Sequence, residues 1–172
     1  MLAALLFFAV IAMPVSATTV NVEGAVSPSL SFTIVDNTTV QSFPLVMGVN
    51  SKTINTMNAQ ANTAWVIKAK DLDAASGGKL TASPGAAGRM AYKPTGVWQP
   101  NCFLATPMNI GVNGFTPQTT LTAVDQTIYT GAAVDVWSHP LSLTQTVLYN
   151  DIVLTSGAKY QIALDVTAQA SS

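Results

Sequence analysis

The sequence predicts an all-β protein, an antiparallel β-sandwich or jelly roll of eight to ten strands, and three observations lead there. Apolar residues alternate with polar ones along several short runs, turn-forming pairs recur between those runs, and the composition favours strands. Of 172 residues, 21 are threonine and only one, Glu23, is glutamate. Threonine is branched at Cβ and suits a pleated surface, whereas Glu and Lys supply exposed helix faces, so this balance points away from helices.

In chain order, "TVNVEGAV" places Val20 and Val22 on one face, and after Ser27-Pro28 "SLSFTIV" does the same with Leu30, Phe32 and Ile34. "TAWVIKAK" sets Trp65, Ile67 and Ala69 against Val66, Lys68 and Lys70. "LTQTVLYN" opposes Leu143, Val147 and Tyr149 to Thr144, Thr146 and Asn150; "YQIALDVTA" turns Tyr160, Ile162, Leu164 and Val166 inward. A period of two puts alternate side chains on one face of a strand. Between the runs lie Asp36-Asn37, Gly48, Ser76-Gly77-Gly78, Pro84-Gly85, Gly88, Asn113-Gly114, Thr130-Gly131 and Ser156-Gly157. Residues 82–107, with four prolines, read as long loops around one or two short strands. No amphipathic helix and no linker is evident, so residues 18–172 form a single Ig-like sandwich domain in this reading.

Met1 to Met13 is a run without charged or polar residues, followed by Pro14 and then Val15-Ser16-Ala17. An apolar stretch of this length ending in small residues has the layout of a secretory signal, so residues 1–17 are expected to be a signal segment cleaved after Ala17. It lacks the usual preceding Lys or Arg. It is also short of the roughly 20 apolar residues a membrane span needs, so an exported chain without a stable membrane span is expected.

Charged residues make up 9% of the chain, against about 25% in ordinary domains, and the net charge is −1. The seven basic residues form no patch, which argues against nucleic acid as a partner. Weak mutual repulsion favours association between copies instead. Cys102 is the sole cysteine, so no disulfide framework is available within one chain, and a small buried hydrophobe is its expected role.

Catalytic machinery is sparse. The single histidine, His139, precedes Pro140 in what reads as a loop or strand end; Cys102 and His139 are a nominal nucleophile and base, but neither lies in a recognisable motif. No enzyme and no required cofactor is expected. Asp71 and Asp73 in "DLDAASGGK" are alternate oxygen donors ahead of a tight turn, the spacing Ca²⁺ uses, without a third ligand or a closing acid. Trp98 and Trp137 each lie near prolines in apparent loops and are candidates for stacking on sugar rings, against the plainer role of packing the core rim. Asn37-Thr38-Thr39 is a glycosylation sequon, with Asn37 the acceptor.

The signal-like start leading into "TVNVEGAVSPSLSFTIV", then "NTAWVIKAKD" before a Gly-Gly turn, "TPMNIGV" and the closing "GAKYQIALDVTA" resemble the small secreted surface proteins of archaea. Those are β-sandwich subunits of sheaths, pili and surface layers. A looser similarity extends to strand-exchanging filament subunits of the archaeal bundling-pilus and bacterial biofilm-fibre types. The resemblance implies an extracellular structural protein whose partners are copies of itself, with other surface proteins or glycans as further partners. It also implies that an N-terminal strand of one subunit completes the sheet of the next. That strand maps onto Thr18, Thr19, Val20, Asn21, Val22, Glu23, Gly24, Ala25 and Val26. Pro28 removes a backbone donor and restricts Ser27, so this strand can leave the direction of the one that follows. The alternative expectation is a secreted carbohydrate-binding module or adhesin that uses Trp98 and Trp137.

Overall fold

A computed structural model of the chain describes residues 26–36, 41–154 and 158–171. The signal segment 1–17, residues 18–25 of the strand proposed from Thr18 to Val26, and the sequon at Asn37 lie outside the described residues.

The fold is all-β, with ten strands among the described residues. β1 (Leu30–Ile34), β2 (Gly48–Ala61), β5 (Asn109–Val112), β6 (Thr119–Thr120) and β8 (Val134–Val147) form a five-stranded antiparallel sheet in the order β1-β2-β8-β5-β6. β3 (Trp65–Asp71), β7 (Gln126–Gly131) and β10 (Leu164–Ala170) form a second sheet, β10-β3-β7; β4 (Ala91–Tyr92) and β9 (Tyr160–Gln161) pair as a small third one. The two larger sheets face each other across the core in a sandwich-like, curled arrangement. Thr119 Oγ1 of β6 donates to Thr127 O of β7 at 3.2 Å, joining the sheets on one side.

The interior is aromatic at its centre. Trp65 is fully buried and meets Trp137 edge-on at 5.1 Å between centroids and Tyr129 at 5.4 Å. Its Nε1 donates to Ala132 O at 2.9 Å, so the indole is buried with its polar atom satisfied. The alternation expected for "TAWVIKAK" holds: Trp65, Ile67 and Ala69 are buried while Val66, Lys68 and Lys70 are half-buried.

Of the two longest strands, β2 is missing from the sequence reading and β8 is found there only from Leu143 on. The bulge at Asn55 accounts for much of this, and a second register shift lies between Ala59 and Ala61. Ile54 faces Leu141 and Thr56 faces Pro140, leaving Asn55 unpaired at φ 33°. Inward positions on β2 are therefore Asn50 and Ile54 before the bulge, then Met57, Ala59 and Ala61 after it. A period-two search fails across that change of phase. Pro140, which made "VWSHP" look like a loop, sits within a central strand because it lies opposite the bulge, where the ladder is already interrupted. Asn55 Nδ2 donates to Val35 O at 2.9 Å and Asp36 O at 2.8 Å, fastening the turn after β1.

Two further expectations are corrected. Tyr149 is not inward but 94% exposed, because β8 ends at Val147 and residues 148–151 turn away. "YQIALDVTA" is two strands, not one: β9 pairs with β4 and β10 pairs with β3, with Ala163 between them donating to Asp73 Oδ2 at 2.8 Å.

Candidate assembly edges and neighbouring sites

β1 ends the five-stranded sheet and β10 ends the three-stranded one. On its side away from β2 or β3, each pairs with no strand among the described residues. The rows that these strands turn toward the core, Leu30, Phe32 and Ile34 on β1 and Leu164, Val166 and Ala168 on β10, are only partly buried although they pack on it. β1 and β10 touch each other, so both half-covered rows lie along one side of the sandwich. Unpaired N–H and C=O groups beside incompletely covered apolar side chains are what an added strand satisfies. Asn62 fixes where the chain reaches β1: its Oδ1 accepts from Ser29 N at 2.7 Å and its Nδ2 donates to Ser27 O at 2.9 Å. Of the strand Thr18–Val26, only Val26 is described, and it is 84% exposed.

Asp71 and Asp73 sit at the start of a short helix rather than on an open loop, and the turn at Ser76-Gly77 follows it. Residues 72–82 fold as two short helices, α1 (Leu72–Ala75) and α2 (Gly78–Ala82), too short to register as a helical period. Asp71 is fully buried and caps α1, its Oδ1 accepting from Ala74 N at 3.1 Å; its Oδ2 accepts from Lys79 Nζ at 2.6 Å and Gly88 N at 2.9 Å. Lys79, equally buried, also donates to Arg89 O and lies 5.6 Å from the centre of the Trp98 ring. Burial holds its ammonium below the ordinary lysine range, opposed by the hydrogen bond and charge of Asp71 and the charge of Asp73. A lysine therefore occupies the place against Asp71 where the sequence suggested calcium, and Asp73 is engaged by Ala163 N. Among the described residues, no three His, Cys, Asp or Glu side chains gather as a metal site. Nothing in the local sequence marks Lys79 as interior.

The two tryptophans separate. Trp137 is 7% exposed, packed among Trp65, Tyr129 and His139, which removes it as a sugar-stacking face; β8 runs through the core, and its flanking proline is not a loop. Trp98 is half-buried, with Lys93 Nζ 4.7 Å from its ring centre. His139 is in mid-strand, its ring against Phe115 and Trp137. Cys102 is half-exposed rather than buried and lies beside Tyr160, so His139 and Cys102 belong to different clusters.

Tyr160 Oη donates to Ile152 O at 2.6 Å. Burial, with the thiol of Cys102 and the charge of Asp151 alongside, pushes its phenol up to about 12. An acid whose folded pKa exceeds its unfolded value, near 10 for tyrosine, keeps its proton longer in the folded chain. The stability it contributes is therefore present below pH ~10 and is lost as pH rises toward about 12. The urea midpoint should fall across this window more steeply in the wild type than in Tyr160→Phe; parallel curves would contradict the assignment.

No helix among the described residues is long and apolar enough to cross a membrane. No protein-family model matches the chain, and comparison with curated proteins gives no match.

Proposed function

We propose that the chain is an extracellular structural subunit that assembles with copies of itself into a surface filament, pilus or sheath. In this reading the strand Thr18–Val26 of one copy completes the side of another where β1 and β10 are left unpaired. The observation that carries it is the coincidence of two free sheet edges with two half-covered apolar rows on one side of the sandwich. Low charge and a Thr-rich surface add support, since neither opposes close approach of copies. The function needs no catalytic group, and Cys102 and His139 are given none. Deleting residues 18–26 should leave folded, secreted monomers by sedimentation and no polymers by negative-stain microscopy. Normal polymers from that variant would sink strand donation.

A glycan-binding role is the second reading, and only Trp98 now favours it, as a half-exposed indole with lysine ammonium groups over its ring. Glycan-array signal that disappears in Trp98→Ala would promote this reading, and silence from the wild-type chain would retire it.

A further inference from the structure

We propose that the side chains of Lys79 and Asp71 condense within the folded chain into an amide, an isopeptide bond between Nζ and Cγ formed with loss of one water. The bond lies inside one copy, so it stands or falls independently of the assembly proposed above.

Of the described lysines, Lys79 is the one that is fully buried, and its partner Asp71 is fully buried with it. Nζ lies 2.6 Å from Asp71 Oδ2, and a C–O bond of about 1.2 Å then puts Nζ within about 4 Å of Cγ. That is close to the separation of about 3–3.5 Å from which a nucleophile attacks its target carbon. The half-buried Trp98 ring covers Nζ at 5.6 Å. Lys70 is the contrast. It pairs with Asp125 at 3.0 Å and Asp165 at 3.2 Å, but all three side chains reach solvent, and those hydrogen bonds raise its ammonium above the ordinary lysine range. An ammonium kept ionised has no lone pair with which to attack. Around Lys79 burial acts the other way and holds the ammonium below that range.

A proton passed across the Lys79–Asp71 hydrogen bond leaves a neutral amine beside a neutral carboxylic acid, which a dry site favours over separated charges. The amine lone pair then attacks Cγ; the Cγ–Nζ bond forms and the Cγ–Oδ2 bond breaks. Oδ2 departs as water, carrying the proton it received and one more from Nζ. Nothing is oxidised or reduced, and no co-reactant is consumed. The product has one donor and one acceptor, and both meet partners already in place. Nζ–H keeps Arg89 O, and Oδ1 keeps Ala74 N at 3.1 Å. Gly88 N, 2.9 Å from Oδ2 before the step, passes to Oδ1, since a carbonyl oxygen accepts two hydrogen bonds. Folding supplies the proximity that a condensing reagent would otherwise replace, because well-oriented groups in one molecule react as if at about 10⁵ M or more. Cys102 is the sole cysteine, so no disulfide can form within the chain, and this amide is its internal cross-link.

Tryptic digestion and mass spectrometry of the full chain read the bond directly. The folded wild type is held at neutral pH until its products no longer change, then denatured in urea and digested. Trypsin cuts after Lys70, Lys79 and Arg89, so an unlinked chain gives peptides 71–79 and 80–89. The linked chain should give a single peptide, 71–89, uncut at Lys79 because its amine is acylated, and lighter than the sum of that span by one water, about 18 Da. Peptides 71–79 and 80–89 at full mass would overturn the proposal. So would a peptide 71–79 that is light by one water yet cut at Lys79, which places the dehydration at a succinimide instead. Asp71→Ala removes the carbon attacked and should restore both full-mass peptides. If that variant still gives the light, uncut span, Lys79 is joined to another carboxyl and the assignment to Asp71 falls.

Discussion

Replacing Lys79 by methionine, or Asp71 by alanine, is expected to destabilise the chain by about 3–5 kcal/mol, because each leaves the other charge buried without its partner. Both side chains are fully buried, and the pair ties three segments together: the α1 cap at Ala74, the α2 residue Lys79 itself, and the backbone of Gly88 and Arg89. Against a typical total of about 5–15 kcal/mol, that is about a fifth or more of the stability, and near this chain length the melting temperature falls by roughly 10 °C. The double replacement Asp71→Leu with Lys79→Met should recover only part of the loss. It removes both charges, yet it abandons the N–H groups of Ala74 and Gly88 and the carbonyl of Arg89 that the pair satisfies. Urea unfolding of Asp71→Leu, Lys79→Met and the double variant closes the cycle and gives the coupling. Additive losses would mean that the two groups do not act as a pair.

Gly88→Ala is expected to cost at least about 3 kcal/mol, from strain combined with overpacking. Gly88 has φ +69°, and a Cβ there would lie 1.9 Å from Leu121 O and 2.6 Å from Leu121 C, both backbone atoms that cannot rotate aside. Relief would have to come from moving the Gly88 backbone, whose N–H bonds Asp71 and whose carbonyl accepts from Met108 N at 2.8 Å. Gly114→Ala is the control: φ is +89°, but the added atom meets nothing within 4 Å, so only the conformational cost of about 1–2 kcal/mol applies. Equal destabilisation of the two variants in thermal unfolding would show that the close approach to Leu121 carries no weight.

What could be read from the sequence was the part in which local pattern and tertiary role coincide. β3 is flanked by turns, alternates without interruption, and packs as its pattern implies. β1 and β10 were legible for the same reason. β2 was not, because Asn55 changes its phase halfway along, and of β8 only the part from Leu143 to Val147 was, because a proline that usually ends a strand is accommodated opposite that bulge. The helices α1 and α2 span four and five residues, less than the pattern needs to show a 3.6 period. Trp98 and Trp137 have nearly the same neighbours in sequence; what separates them is which strands pass over them. The buried lysine is a purely tertiary fact, since its partners are supplied by residues 71 and 89.

The bulge at Asn55 also bears on which length changes this fold survives. Deleting that one residue would restore a regular β2, and regularity is what the strand cannot accept. One half or the other would rotate by a full alternation, exposing Met57, Ala59 and Ala61 or turning Ser51 and Thr53 inward. The same deletion would free Pro140 from the interruption that accommodates it and set it opposite a backbone seeking a donor. Relatives of this chain that lack the extra residue should therefore have lost the proline as well, so that the two positions are gained and lost together.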